Sequence, residues 1–119
     1  MILVRFLFIF AIIALCGCES VETQRKSFVA YQNAEIGRPF YAHEARGMRK
    51  EKVGDNMYEF VPDPIPAHGC GVIWLVDSRK AGDYIHSNGI TFQIEGMKVS
   101  WRFIGDPQKC LLGASWNAW

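Results

Sequence analysis

The chain lacks the apolar length of a membrane anchor. Its longest unbroken apolar run, Phe6–Cys16, is 11 residues, against the roughly 20 that a spanning helix needs. It also lacks an excess of charge. Thirteen Lys and Arg stand against 12 Asp and Glu, and without Arg5 the remainder is balanced. A neutral domain has no field to hold a polyanion, which argues against nucleic acid as a partner. Loops of the G-x-x-x-x-G-K-[ST] and G-x-G-x-x-G kinds are missing, as is G-x-S-x-G. These absences remove the common phosphate cradles and the nucleophile elbow. His43-Glu44 opens like H-E-x-x-H, but position 47 is Gly, so the second zinc ligand is missing. Ser87 lies beside His86, yet triad members meet in space rather than in sequence. No enzyme, cofactor or metal is expected from these residues. Internal repeats and low-complexity runs are also missing. What is present is aromatic weight, 13% with 4 Trp in 119 residues, which excludes a disordered chain and fits one domain.

Met1–Arg5 carries one basic side chain, and the apolar run that follows has the length of a signal-peptide h-region. It ends in Leu15-Cys16-Gly17-Cys18. This segment resembles the lipobox of bacterial lipoproteins, with Leu three places before the Cys and small residues between. The resemblance implies that Cys18 receives a diacylglyceryl group, that residues 1–17 are removed, and that the new amine is acylated with a fatty chain such as palmitate. Each buried CH₂ is worth about 0.8 kcal/mol, so two or three chains hold firmly. Glu19 is not the Asp that retains such proteins in the inner membrane. The expected address is therefore the outer membrane, facing the periplasm or the cell surface. Residues 18–27 read as a lipidated tether and 28–119 as a small periplasmic domain.

If Cys16 leaves with the signal and Cys18 takes lipid, Cys70 and Cys110 remain. In an oxidising compartment two thiols have one connectivity. Bridging them closes about 40 residues, worth about 4 kcal/mol in the chain-entropy model. The competing use is a zinc site built from Cys70, His68 and either His43 or His86. Such sites take paired ligands, and Cys110 has no His or Cys neighbour, so the bridge is the favoured reading.

Along the chain, Phe28, Tyr31 and Gln32 fall at i, i+3 and i+4, with Ile36 a turn later, which predicts a short helix from near Thr23. Gly37-Arg38-Pro39 ends it. Phe40–Val53 is mixed, a helical turn or a loop. Met57–Val61 alternates, with Tyr58 and Phe60 on one face, and reads as a strand. Pro62, Pro64 and Pro66 stop it. Val72–Val76 is wholly apolar, as a central strand would be. Asp77–Asn88 reads as a long loop. Ile90–Ile94 and Val99–Phe103 both alternate, and Glu95–Lys98 between them reads as a hairpin turn around Gly96. Val99, Trp101 and Phe103 are expected to face inward. The expected class is α+β, a short N-terminal helix packed on a four-stranded antiparallel sheet.

Two places invite a partner. Arg46, Arg49, Lys50 and Lys52 form a basic run suited to an anionic surface. The tail Leu111–Trp119 carries Trp116 and Trp119, residues that either pack on the sheet or anchor a protein interface. Trp74 and Trp101 are most simply core.

Gly47-Met48-Arg49-Lys50-Glu51-Lys52-Val53 is similar to the G-M-x-x-x-x-V motif of the SmpA/OmlA-like small outer-membrane lipoproteins. That family's next motif is absent, since Gly54-Asp55 follows at once. Tyr58-Glu59-Phe60, Cys70, Trp101-Arg102-Phe103 and Cys110 resemble a strand pattern in uncharacterised proteobacterial lipoproteins. These resemblances imply a non-enzymatic, lipid-anchored envelope protein. Its partners would be the membrane, through the anchor, and another envelope protein in outer-membrane assembly or maintenance. The alternative is an inhibitor or exclusion lipoprotein, acting on lysozyme, plasmid or phage. For that role the candidate loops are His68–Gly71 and Asp77–Asn88.

Overall fold

The structure, a computed structural model, describes residues 20–110. It opens with α1 (Val21–Glu35). Ser20 caps it, its hydroxyl accepting the Thr23 N–H at 3.1 Å, and Glu22 complements the positive end of the helix. Residues 21–27, read above as part of the tether, are thus helical. Phe28 and Gln32, one turn apart, form the buried face. Ile36 turns to extended backbone and is 43% exposed, so it does not join the helix lid. Gly37 follows at φ +88°, a conformation that favours glycine.

Six strands follow: β1 (Pro39–Tyr41), β2 (Met48–Gly54), β3 (Met57–Pro62), β4 (Cys70–Asp77), β5 (Gly82–Ile85) and β6 (Thr91–Gly105). They form one antiparallel sheet in the order β1-β6-β4-β3-β2, with β5 paired to the first part of β6. The class is α+β, as expected, but the strands number six and not four. β1 and β2 lie in the stretch read as loop or helical turn, and β5 lies inside the expected long loop. The two expected C-terminal strands are one, because no hairpin turn forms at Glu95–Lys98 and β6 runs through it.

The physical reason is that Gly96 serves a close approach instead of a turn. It sits at φ +147° opposite Phe40. A Cβ there would lie 2.1 Å from the Asp77 backbone carbonyl oxygen. Gly96→Ala is therefore expected to destabilise the fold by on the order of 2 kcal/mol, since the carbonyl cannot swing aside like a side chain. Chemical denaturation of the variant measures this.

β6 also carries a bulge. Trp74 pairs with Trp101 and Leu75 with Ser100, but Val76 pairs with Lys98. Val99 is the extra residue. It resets the alternation, so that Lys98, Trp101 and Phe103 share the helix-facing side. Val99, expected to point inward, is 40% exposed.

The core lies between α1 and that side of the sheet. Phe28, Phe40, Phe60, Val72, Trp74 and Val76 are buried there, with Tyr58, Trp101 and Phe103 packed against them. The rings of Phe28 and Phe103 stack at 6.0 Å, and the Trp101 indole N–H donates to Asn33 Oδ1 at 2.8 Å. These contacts fix the helix across β6. At the far end, a single 3₁₀ turn, Pro107–Lys109, brings Cys110 back to Cys70. The two are joined in a buried disulfide with Cα atoms 5.3 Å apart. Strand neighbours β4 and β6 are thereby locked at one end.

Candidate functional site

The bulge at Val99 delivers a lysine to the core side of the sheet. Lys98 is 3% exposed, and charged side chains are almost never so deep unless paired. Its ammonium donates to Glu35 Oε2 at 3.1 Å and to Glu44 Oε1 at 3.2 Å. It also lies 4.8 Å over the Trp74 ring and 5.7 Å from the centre of the Phe40 ring. Cation–π attraction of this kind strengthens where water is excluded.

Each partner is positioned by a different element. Glu35 closes the last turn of α1. Glu44 sits in the turn after β1, where its second oxygen, Oε2, accepts the Tyr41 N–H at 2.9 Å. The Lys98 backbone ties the same pieces together: its N–H donates to the Arg38 carbonyl at 2.9 Å, and its carbonyl accepts from Gly37 at 2.8 Å. Above the ammonium opens a recess of about 210 Å³ lined by Tyr31, Gln32, Glu35, Phe40, Glu44 and Trp74, among others. The arrangement cross-links helix, turn and sheet. Chemically it offers a recess with carboxylate and amide groups on one side and aromatic faces on the other.

A second cluster surrounds Tyr41. Its hydroxyl lies 3.1 Å from His86 Nε2. The rings of His43 and His86 stack on it at 5.4 and 5.8 Å, and Phe92 packs edge-on. Two of the three histidines are thus engaged in ring stacking. Among the described residues, no group of three or more His, Cys, Asp or Glu is placed to hold a metal ion.

The basic run is split by β2. Arg49 reaches Glu51 at 2.7 Å and Asp63 at 3.2 Å. The hydrogen bond and charge of Glu51, and then those of Asp63, raise its guanidinium above the ordinary arginine value. Lys50 turns to the core side, 4.4 Å over the Tyr58 ring and 3.5 Å from Glu95. Arg46 is exposed in the preceding turn and Lys52 is exposed on the strand. The structure therefore does not gather the four residues into one patch. Elsewhere on the surface, the Arg79 hydrogen bonds pull the Asp77 carboxyl down to about 2, and that pair closes the 3₁₀ turn after β4. Cys18, Trp116 and Trp119 lie outside the described residues.

Sequence reasoning missed the Lys98 site. The available signal was the spacing Ile94-x-Gly96-x-Lys98, an alternation that runs on through the supposed turn. Compared with known protein families, with curated proteins and with solved structures, the chain matches none of them.

Proposed function

We propose that the protein is a non-enzymatic lipoprotein of the cell envelope. It would be anchored through Cys18 in the outer membrane and would bind another envelope protein in assembly or maintenance of that membrane. The observation that carries the reading is the buried Cys70–Cys110 bridge, because such bonds persist in exported proteins and are rare in the reducing cytosol. The Leu15-Cys16-Gly17-Cys18 segment supplies the anchor. A single residue, Glu19, separates Cys18 from the helix cap at Ser20. The folded domain would then sit against the bilayer surface with almost no tether, within reach of membrane-embedded partners.

The anchor is tested by Cys18→Ala. The variant is expected to accumulate as unprocessed precursor, heavier than the mature form by the uncut leader and lacking the mass of the acyl chains. Normal processing of that variant would contradict the reading.

One observation favours the alternative of an inhibitor or exclusion factor. The β5–β6 hairpin, whose β5 strand lies in the Asp77–Asn88 segment read as a candidate inhibitory loop, has a hydrogen-bonded tip. The His86 N–H donates to the Ile90 carbonyl at 2.9 Å and the Gly89 N–H to the His86 carbonyl at 2.9 Å. Ile85 and Ile90 at that tip are 69% and 52% exposed. A rigid apolar finger suits insertion into a cleft. Slowing of lysozyme by the purified protein, lost on Ile85→Asp, would move the assignment to that class.

A further inference from the structure

β1 meets β6 only at Ile94, Gly96 and Met97. On that side, among the described residues, no strand lies beside residues 99–105 of β6. The direction of the backbone there follows from the ladder with β4. The Asp106 N–H donates to the Gly69 carbonyl at 2.9 Å, in the same register as Ile73↔Arg102 and Val72↔Phe103. Along an antiparallel ladder, hydrogen-bonded and non-hydrogen-bonded pairs alternate. Arg102 and Ile104 therefore turn their backbone groups toward β4, and Trp101 and Phe103 turn theirs away. Lys98 already turns outward before the bulge, where Gly37 and Arg38 meet it. Trp101 and Phe103 continue that line. Among the described residues, nothing accepts their N–H groups or donates to their carbonyls.

The two edges of the sheet are built differently. β2 carries Arg49, Lys50, Glu51 and Lys52, charges that discourage pairing. Residues 99–105 carry one charge, Arg102, which Glu59 holds at 3.0 Å, and no proline. An edge of this composition is a template for another strand.

We propose that residues 111–119, which lie outside the described residues, add to this edge as a further antiparallel strand. Their starting point is fixed: Cys110 is bonded to Cys70, and Cys70 lies opposite Gly105 in the ladder. The vacant place is two strand spacings from β4, roughly 10 Å, and Gly105 to Trp101 is roughly 13 Å of strand. Nine extended residues reach roughly 30 Å, enough to cross and run back along β6. Coming from the Gly105 end, the segment runs opposite to β6, as an antiparallel pair requires. It holds no charge and no proline, so every residue brings an N–H to the ladder. Leu111, Leu112, Trp116 and Trp119 supply apolar area to cover the edge. A short tether gives an effective concentration on the order of mM, which favours this segment over a strand from a second molecule. The inference goes beyond the partner-binding reading and does not rest on it.

The test is amide hydrogen exchange, read by NMR on the ¹⁵N-labelled full-length chain in detergent micelles. The Arg102 amide, which faces β4, is the internal reference. The Trp101 and Phe103 amides are expected to exchange as slowly as that of Arg102, and to show cross-strand NOEs to residues 111–119. In a chain ending at Cys110, both are expected to exchange about tenfold faster, the scale of one lost hydrogen bond, with Arg102 unchanged. If Arg102 also loses protection in that variant, the fold itself has opened, and the NOEs of the intact chain decide. The inference is overturned if Trp101 and Phe103 exchange freely in the purified intact chain, as an edge kept for a partner's strand would. It is equally overturned if their protection survives removal of residues 111–119, if it disappears on dilution, as pairing with a second copy would, or if no NOE links them to that segment.

Discussion

Lys98→Met is expected to cost about 3–5 kcal/mol of folding stability, the usual penalty for removing one member of a buried ion pair. Methionine preserves much of the length and the apolar stem, so packing against Trp74 and Phe40 survives. What is lost is the charge between Glu35 and Glu44, at 3.1 and 3.2 Å from the ammonium. Two carboxylates, partly open to solvent through the recess, then lose the cation that both of them bind. Urea unfolding measures the effect as a lower midpoint with an unchanged slope. The triple variant Lys98→Met, Glu35→Gln, Glu44→Gln is expected to recover most of the loss, because neutral replacement of a whole buried ion set is often harmless. A single-variant loss below about 1 kcal/mol, the scale of an exposed pair, would show that the triad does not hold helix and sheet together.

Replacing Cys70 and Cys110 together with Ala is expected to cost about 4 kcal/mol, since the bond closes a 40-residue separation. For a domain of this size that corresponds to a fall in Tm of roughly 15–30 °C. The loss is large because the bridge fastens the end of β6 to the start of β4, the central pair of the sheet. Both sulfurs are buried, so the replacement also leaves a small void. Differential scanning calorimetry of the variant, and of the parent under reducing conditions, should give similar shifts. A shift of only a few degrees would mean that the strands hold this end without the bond.

The sheet was legible where burial leaves a pattern. Val72–Val76 is apolar throughout because β4 lies between β6 and β3, and Met57–Val61 alternates because Tyr58 and Phe60 pack inward while Glu59 meets Arg102 on the other face. The start of the helix was within two residues, and Phe28 and Gln32 marked its inner face. β2 was hidden because it is an edge strand, exposed along nearly its whole length. Its lysines and arginine are the charges that keep such an edge from pairing with other chains, and they read as a loop. β5 was hidden because it is only four residues long and opens on Gly82.

The error at Glu95–Lys98 has a different origin. A glycine with positive φ serves a tight turn and a close backbone approach equally well, and the local sequence does not separate the two. Nor does it reveal the extra residue at Val99. With that residue counted as regular strand, Val99 points inward and Lys98 lies at the end of a turn. With the bulge, Lys98 takes the inward place and needs Glu35 and Glu44, which lie 63 and 54 residues away. The candidate site was therefore illegible because it depends on one register shift and two distant carboxylates. The disulfide was legible under the expectation that Cys16 leaves with a signal and Cys18 takes lipid, which leaves Cys70 and Cys110 to pair.

The account centres on a protein anchored through Cys18 that binds an envelope partner. Its most direct test is in-cell cross-linking of the tagged full-length chain, followed by identification of what is captured. The account predicts a discrete adduct with one envelope protein, lost in Cys18→Ala. Recovery of the protein alone, or an adduct that survives in Cys18→Ala, would contradict it.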